Sequence, residues 1–344
     1  VKVNGNVVVG QASGTSLKKC VIGAASITDD PDFYFKGNLT FNSMGRCFYP
    51  GNSTVIPGSY YFEGSGTKTI TNNNNSSNIY FGNVDIGGTS PLTLTVTGSN
   101  SDAIYTHYGN LTVNSGATLV LPFDAYFNQN VAGFGDFIVK ANATVRLGDN
   151  FGGQAGSNFP GDYESTVLDQ ASTVEYYGTS DQIIYDLPVY GNLTLTNNSV
   201  KFLNNYIEIE GNLLVNPTAT FGCDQPVYMY GPSVTNNGII EGIFGTSEFS
   251  FYGEAAQTYA GSGVWQGASP GTPFSGLGVN FSNIAGITLN GPLATESAYL
   301  FNGDIINSNN MQIGSASFSF VQRGGSPSLD AGTFDTYPTI TSTA

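Results

Sequence analysis

Charged side chains are few: they make up 10% of the 344 residues, where a quarter is usual for soluble domains. Lys, Glu, Arg and Met, the strong helix formers, are correspondingly scarce, and no stretch repeats its apolar residues at period 3.6, which excludes a helical architecture. Only 10 residues are basic against 25 acidic, giving a net charge of −15. Such a surface repels a phosphate backbone, so nucleic acid is excluded as a partner. Between Lys201 and Arg323 there is no basic residue, which leaves that third of the chain without an anion-binding cluster. No run of about 18 apolar residues exists to span a bilayer as a helix. A single histidine, His107, has no nucleophile motif beside it and reads as a strand-end residue, and no His or Cys pair has zinc-ligand spacing. Three cysteines, Cys20, Cys47 and Cys223, are too few for a disulfide scaffold.

Gly, Asn, Ser, Thr, Tyr, Phe and Val fill the space that helix formers leave, with 45 Gly, 20 Tyr and 23 Phe. These residues favour turns and pleated strands, and 40% apolar content is enough to bury a core along the whole length. The fold class is therefore all-β. Residues 109–119 (GNLTVNSGATL), 135–145 (GDFIVKANATV) and 211–221 (GNLLVNPTATF) repeat one pattern: Gly, alternating large apolar residues, a polar turn, then Ala-Thr and a further apolar residue. Partial copies stand at 5–9, 37–41, 82–86, 191–195 and 303–307, and a second unit recurs at 172–182 and 247–257. Each reads as strand, turn, strand with period two.

The intervals from Gly82 to Gly109 and from Gly109 to Gly135, and those from Gly135 to Gly211 and from Tyr177 to Tyr252, all fit one period of about 25 residues. A unit that short cannot bury its own apolar face, so it must stack on its neighbours. The expectation is a parallel β-helix of about 14 coils, on the order of 65 Å long, formed as a single solenoid over residues 1–344. The Asn run at 72–75 and the Gly- and Pro-rich segment 261–276 break the period and read as protruding loops. Val rather than Met at position 1 suggests a removed leader or a piece of a longer secreted polypeptide.

The module at 174–221, VEY-x-G followed by NLTLTN, K-x-L and GNLLVNPTATF, resembles repeats in large secreted surface proteins of Bacteroidetes-type bacteria. That resemblance implies right-handed β-helical stalks in adhesin-like cargo of the type IX secretion pathway. It also implies an extracellular, cell-surface location, with a glycan, a surface or other surface proteins as partners. Two alternatives stand beside a non-catalytic adhesin or stalk: a polysaccharide-active lyase or glycoside hydrolase, and a self-assembling fibre subunit. A hydrolase needs convergent carboxylates, for which Asp162, Glu164, Asp181 and Asp186 are candidates.

Among other candidates, Asp29, Asp30 and Asp32 form the densest acidic group and the only candidate for Ca²⁺; no other cofactor is expected. Outward rings on the aromatic strands, represented by Tyr61, Tyr177 and Tyr252, suit sugar stacking beside polar neighbours. Cys20 and Cys47 stand close to one coil apart, within reach of a disulfide if their strands stack in step. Cys223 would remain free and buried. The Asn-x-Thr/Ser triplets at Asn38, Asn110, Asn142 and Asn192 coincide with the repeat, so their Asn and Thr are expected to serve turns and ladders between coils.

Overall fold

The computed structural model describes residues 1–10, 20–22, 32–42, 45–47, 58–73, 79–98, 104–123, 125–149, 158–186, 188–242, 247–267, 277–295, 297–313, 319–322 and 339–340. Asp29 and Asp30 lie outside them, as do parts of both segments expected to form loops. The described chain is all-β, and every strand pairing in it is parallel. One short 3-10 turn, Ser308–Asn310, is the exception to strand and loop. No described helix is long and apolar enough to cross a membrane. Two compact units divide the chain, Val1–Gly178 and Thr179–Ala344.

In the first unit each strand pairs not with the next in sequence but with the one about a coil later. Asp32–Phe35 lies beside Ser59–Phe62, which lies beside Asn83–Ile86, then Leu111–Val113, Asp136–Val139 and Ser165–Leu168. A second sheet runs in the same way from Val7–Val9 to Thr173–Tyr176, and a third joins Ile79–Phe81, Ile104–Thr106 and Phe127–Gln129. The three sheets share one interior. Phe81 of the third sheet meets Tyr60 and Phe62 of the first, at 5.0 and 6.1 Å between ring centroids, and Phe41 of the second at 6.3 Å. This is the winding of a parallel β-helix.

The second unit winds likewise. Trp265, on Val264–Gly267, packs against Phe249 of Ser247–Phe251 and Tyr259 of Gln257–Ala260, with centroids 5.4 and 5.7 Å apart, and its indole N–H donates to the Tyr259 hydroxyl at 2.7 Å. The part of the segment at 261–276 that holds Trp265 is thus a strand rather than a loop. Burying so large a ring offsets the turn preference of its Gly and Ser neighbours.

Strand composition follows the winding. In Asp136–Val139, Thr173–Tyr176, Asn192–Leu195 and Leu213–Val215 alternate residues are fully buried and the rest face outward. Each buried Leu, Val, Ile or Phe contributes roughly 1.5–3 kcal/mol. Like side chains stack from turn to turn, as in Phe35 on Phe62 (5.4 Å) and Phe251 on Phe281 (5.6 Å, 7° between planes).

The repeated motif has a job at each position. Successive motif glycines touch: a Cβ on Gly109 would lie 2.5 Å from the Gly82 carbonyl and one on Gly211 2.6 Å from the Gly191 carbonyl, while at the corner before Ser233–Asn236 a Cβ on Gly231 would overlap the Gly211 carbonyl oxygen. The following Asn reaches the next turn. Asn6 Oδ1 accepts from the Asn38 N–H (2.9 Å), Asn83 from Asn110 (3.0 Å), Asn110 from Asp136 (2.8 Å) and Asn192 from Asn212 (2.9 Å). The expected ladders between coils are therefore present, and Asn38, Asn110 and Asn192 belong to them. Asn142 serves the turn instead, in the left-handed region at φ 59°. The motif alanine closes the turn inward. Ala117, Ala143 and Ala219 donate to the carbonyls of Asn114, Lys140 and Asn216 at 2.9 to 3.0 Å, and all three methyls are buried.

Turn length is not uniform. Along the ladder of motif side chains the step in sequence is 27 from Asn83 to Asn110 and 26 from Asn110 to Asp136, but 20 from Asn192 to Asn212 and 21 from Asn212 to Ser233. The expected period is an average. One consequence concerns the doubled unit at 172–182 and 247–257, whose spacing suggests three whole turns. Its first copy holds Thr173–Tyr176, in one sheet with Asn192–Leu195 and Leu213–Val215, whereas its second holds Ser247–Phe251 of a different sheet. Shorter turns in the second unit have shifted the later copy onto another face. Those turns pass from face to face through short corners, and Gly at the corners permits the close approach of backbones.

Candidate functional site

Inward positions of the coil are filled by core, so any ligand must be met by outward side chains, corners or clefts. In the second unit one sheet carries the strands Ile207–Ile209, Val227–Met229, Ser247–Phe251, Leu277–Phe281 and Ser297–Leu300. Burial of Ile207, Ile209, Val227, Met229, Phe249 and Phe251 turns the residues between them outward. The register then aligns Glu208, Tyr228, Ser250, Asn280 and Tyr299 in one column on the outer side of the sheet, with Ser250 itself covered by its neighbours. Tyr206, Tyr230 and Tyr252 flank that column at the strand ends.

The four rings of Tyr206, Tyr228, Tyr230 and Tyr252 form one contiguous cluster. Tyr206 meets Tyr228 at 5.9 Å with planes 62° apart, Tyr228 meets Tyr252 at 5.7 Å and 72°, and Tyr230 meets Tyr252 at 5.7 Å and 35°. Tyr206 and Tyr230 keep 47% and 42% of their surface open to solvent, so the cluster is accessible. Two of the three pairs meet edge to face, which makes the cluster corrugated rather than one flat shelf. Beside it, Glu248 accepts from the Ser250 hydroxyl at 2.5 Å and from the Asn280 amide, which fixes its carboxylate at the margin of the rings. Burial among neighbours raises the Tyr228 phenol above its ordinary value, and Glu248, Tyr252, Tyr206 and Glu208 add to it. Tyr230 is raised by burial first, then by Glu208, Tyr252, Tyr228 and Glu210. Both phenols thus stay protonated as donors well beyond neutral pH.

Of the three tyrosines singled out from the sequence, only Tyr252 joins this cluster. Tyr61 is stacked flat on Tyr34 (4.7 Å, 11°), and the Lys2 ammonium stands 5.2 Å above the Tyr34 ring, giving a small outward ladder in the first unit. The Tyr177 ring is covered by the Arg146 guanidinium at 4.7 Å, while that guanidinium pairs with Glu175 through Nε at 2.6 Å and Nη2 at 3.2 Å. Tyr206, Tyr228 and Tyr230 escaped the sequence reading, yet strand parity pointed to Tyr228: an outward position must lie between inward Val227 and Met229.

The remaining candidates are dispersed. Asp32 is exposed at the start of its strand, where its carboxylate accepts from Tyr34 at 3.3 Å; its expected Ca²⁺ partners Asp29 and Asp30 are outside the described residues. Among the described residues no three His, Cys, Asp or Glu side chains gather as a metal site would require. Asp162 and Glu164 belong to the first unit, and Asp181 and Asp186 to the second. The strands Cys20–Ile22 and Gly45–Cys47 do pair, but in a register that sets Cys20 opposite Gly45 and Ile22 opposite Cys47. The local turn is shorter than the separation of the two cysteines, so they stand two positions out of step and a bridge would have to run diagonally. Their side chains are outside the described residues. Cys223 is free and fully buried, and burial pushes its thiol well above the ordinary value. His107 is buried at the end of its strand, with Nδ1 2.8 Å from the Asn130 amide.

A cleft of about 560 Å³ also opens in the second unit. Amides of Asn290, Asn309, Asn310 and Gln312 line it beside Pro292 and Met311, and none of its described lining residues is ionisable.

Comparison of the chain with protein-family models, curated proteins and solved structures found no match.

Proposed function

We propose that this protein is a non-catalytic extracellular binding protein of the adhesin or stalk type, whose β-helical faces present outward rings and polar groups to a glycan. The observation that carries the reading is the contiguous Tyr206, Tyr228, Tyr230 and Tyr252 cluster, bordered by Glu208, Glu248, Ser250 and Asn280 on neighbouring turns. Aromatic faces supply apolar contact to sugar C–H groups, while carboxylates and amides one turn away take the hydroxyls. Parallel stacking repeats such positions at a strand spacing of about 4.8 Å, which favours an extended, repeating ligand over a small compact one. The cleft supports the same reading, because its amide-bearing lining suits a hydroxyl-rich ligand.

Immobilised glycan arrays test it. Wild-type protein is expected to retain a subset of polysaccharides, and Tyr228→Ala and Tyr252→Ala each to weaken retention by about tenfold, the scale of one lost aromatic contact. Retention untouched by both substitutions removes this face as the binding site. Incubation with a polysaccharide panel is expected to yield no new reducing or unsaturated ends; their appearance would make the chain an enzyme instead.

A further inference from the structure

We infer that the tyrosine face of the second unit selects an ammonium-bearing glycan, a chain of deacetylated amino sugars, over its neutral counterparts. This deepens the glycan-binding reading and rests on it.

Three observations support the choice of a cation. The rings are inclined by 62°, 72° and 35° to one another, so together they present faces in several directions instead of one shelf for a flat pyranose. Ring faces carry the negative part of the aromatic quadrupole, and a cation set between several of them is attracted to each. Around those rings stand carboxylates. Glu208 lies directly opposite Tyr228 in the register, Glu210 follows it, and Glu248 is oriented by Ser250 and Asn280 at the other side. Finally, among the described residues of the second unit no cationic side chain other than Lys201 is present to compete for these rings. The sequence has no basic residue between Lys201 and Arg323, and Lys201 itself points inward, fully buried in the column that continues through Phe221 and Ile240. The first unit shows the contrast: there Lys2 and Arg146 already occupy the faces of Tyr34 and Tyr177.

A chain of amino sugars supplies what this arrangement lacks, an ammonium on each ring, together with the apolar sugar faces that tyrosines hold. Negative potential from the surrounding carboxylates also concentrates such a ligand near the surface before contact.

The test compares, by calorimetry at mildly acidic pH, a chito-oligosaccharide with free amines, the same oligomer fully N-acetylated, and a cello-oligosaccharide of equal length. The free-amine oligomer is expected to bind about tenfold more tightly than either neutral one. That preference should fall as pH rises and the amines lose their protons. Glu208→Gln combined with Glu248→Gln is expected to erase it, bringing the free-amine oligomer down to the affinity of the neutral ones, and Tyr228→Phe, which keeps the ring, to preserve it. Glu63→Gln with Glu164→Gln, on the first unit, controls for the general acidity of the surface and should have little effect.

Equal affinity for all three oligomers would overturn the cation preference and leave the glycan-binding face standing. A preference reduced as much by the control pair as by the Glu208 and Glu248 pair would overturn it too, as attraction to net charge alone. If none of the three binds and other glycans do not bind the array, the glycan-binding reading itself falls.

Discussion

Asp224 is a residue in a costly position. One of its carboxylate oxygens is buried with no hydrogen-bond partner, and burial followed by the nearby Glu241 raises its pKa above the ordinary 3.8. A carboxyl that holds its proton more tightly in the folded state contributes stability while protonated and loses that contribution as pH climbs from the unfolded value through the folded one. Stability should therefore decline across the upper carboxylate range on account of this group. Asp224→Asn removes the ionisation, so its urea midpoint is expected to exceed that of the wild type at neutral pH and to converge with it in acid below the unfolded value. A variant less stable than wild type at neutral pH would mean that the charge is compensated. Nothing in the sequence hints at this, since Gly222, Cys223 and Asp224 look like an ordinary turn and the burial comes from what the coil stacks against them.

At the level of the strand and its corner, the motif Gly-Asn is a contact between turns written in one dimension. Gly is needed where the next turn touches it, and the test is internal to the protein. Gly231→Ala would press a methyl into the Gly211 carbonyl oxygen, backbone that cannot swing aside. Gly5, the first of the Gly-Asn glycines, has nothing within 4 Å of an added methyl. Denaturant melts are expected to show a loss of about 1–3 kcal/mol or more for Gly231→Ala and a change near zero for Gly5→Ala. Equal effects would mean that glycine serves backbone freedom and not close approach. This layer was well exposed in the sequence: the alternation in GNLTV, GDFIV and GNLLV correctly gave inward and outward residues, and the Ala-Thr step marked the corner. Trp265 shows where such reading stops. Its Gly- and Ser-rich surroundings indicated a loop, and only packing against Phe249 and Tyr259 makes the segment a strand.

For the molecule as a whole, a net charge of −15 with few cations governs what approaches it. Mobility-shift assays with duplex and single-stranded nucleic acid at physiological salt are expected to show no complex, and solubility to pass through a minimum near the isoelectric point of 4.1. A stable nucleic-acid complex would contradict the charge argument. Composition and repeat determined the all-β class, the parallel stacking and the alternation of buried and exposed side chains, because period two and turn chemistry are local and each turn resembles its neighbour. Only the tertiary structure decided which outward residues meet. Turns differ in length even among those with the same motif, and the register between adjacent turns depends on how each corner packs. The same freedom that set Cys20 opposite Gly45 gathered Tyr206, Tyr228 and Tyr252 from separate turns into one face.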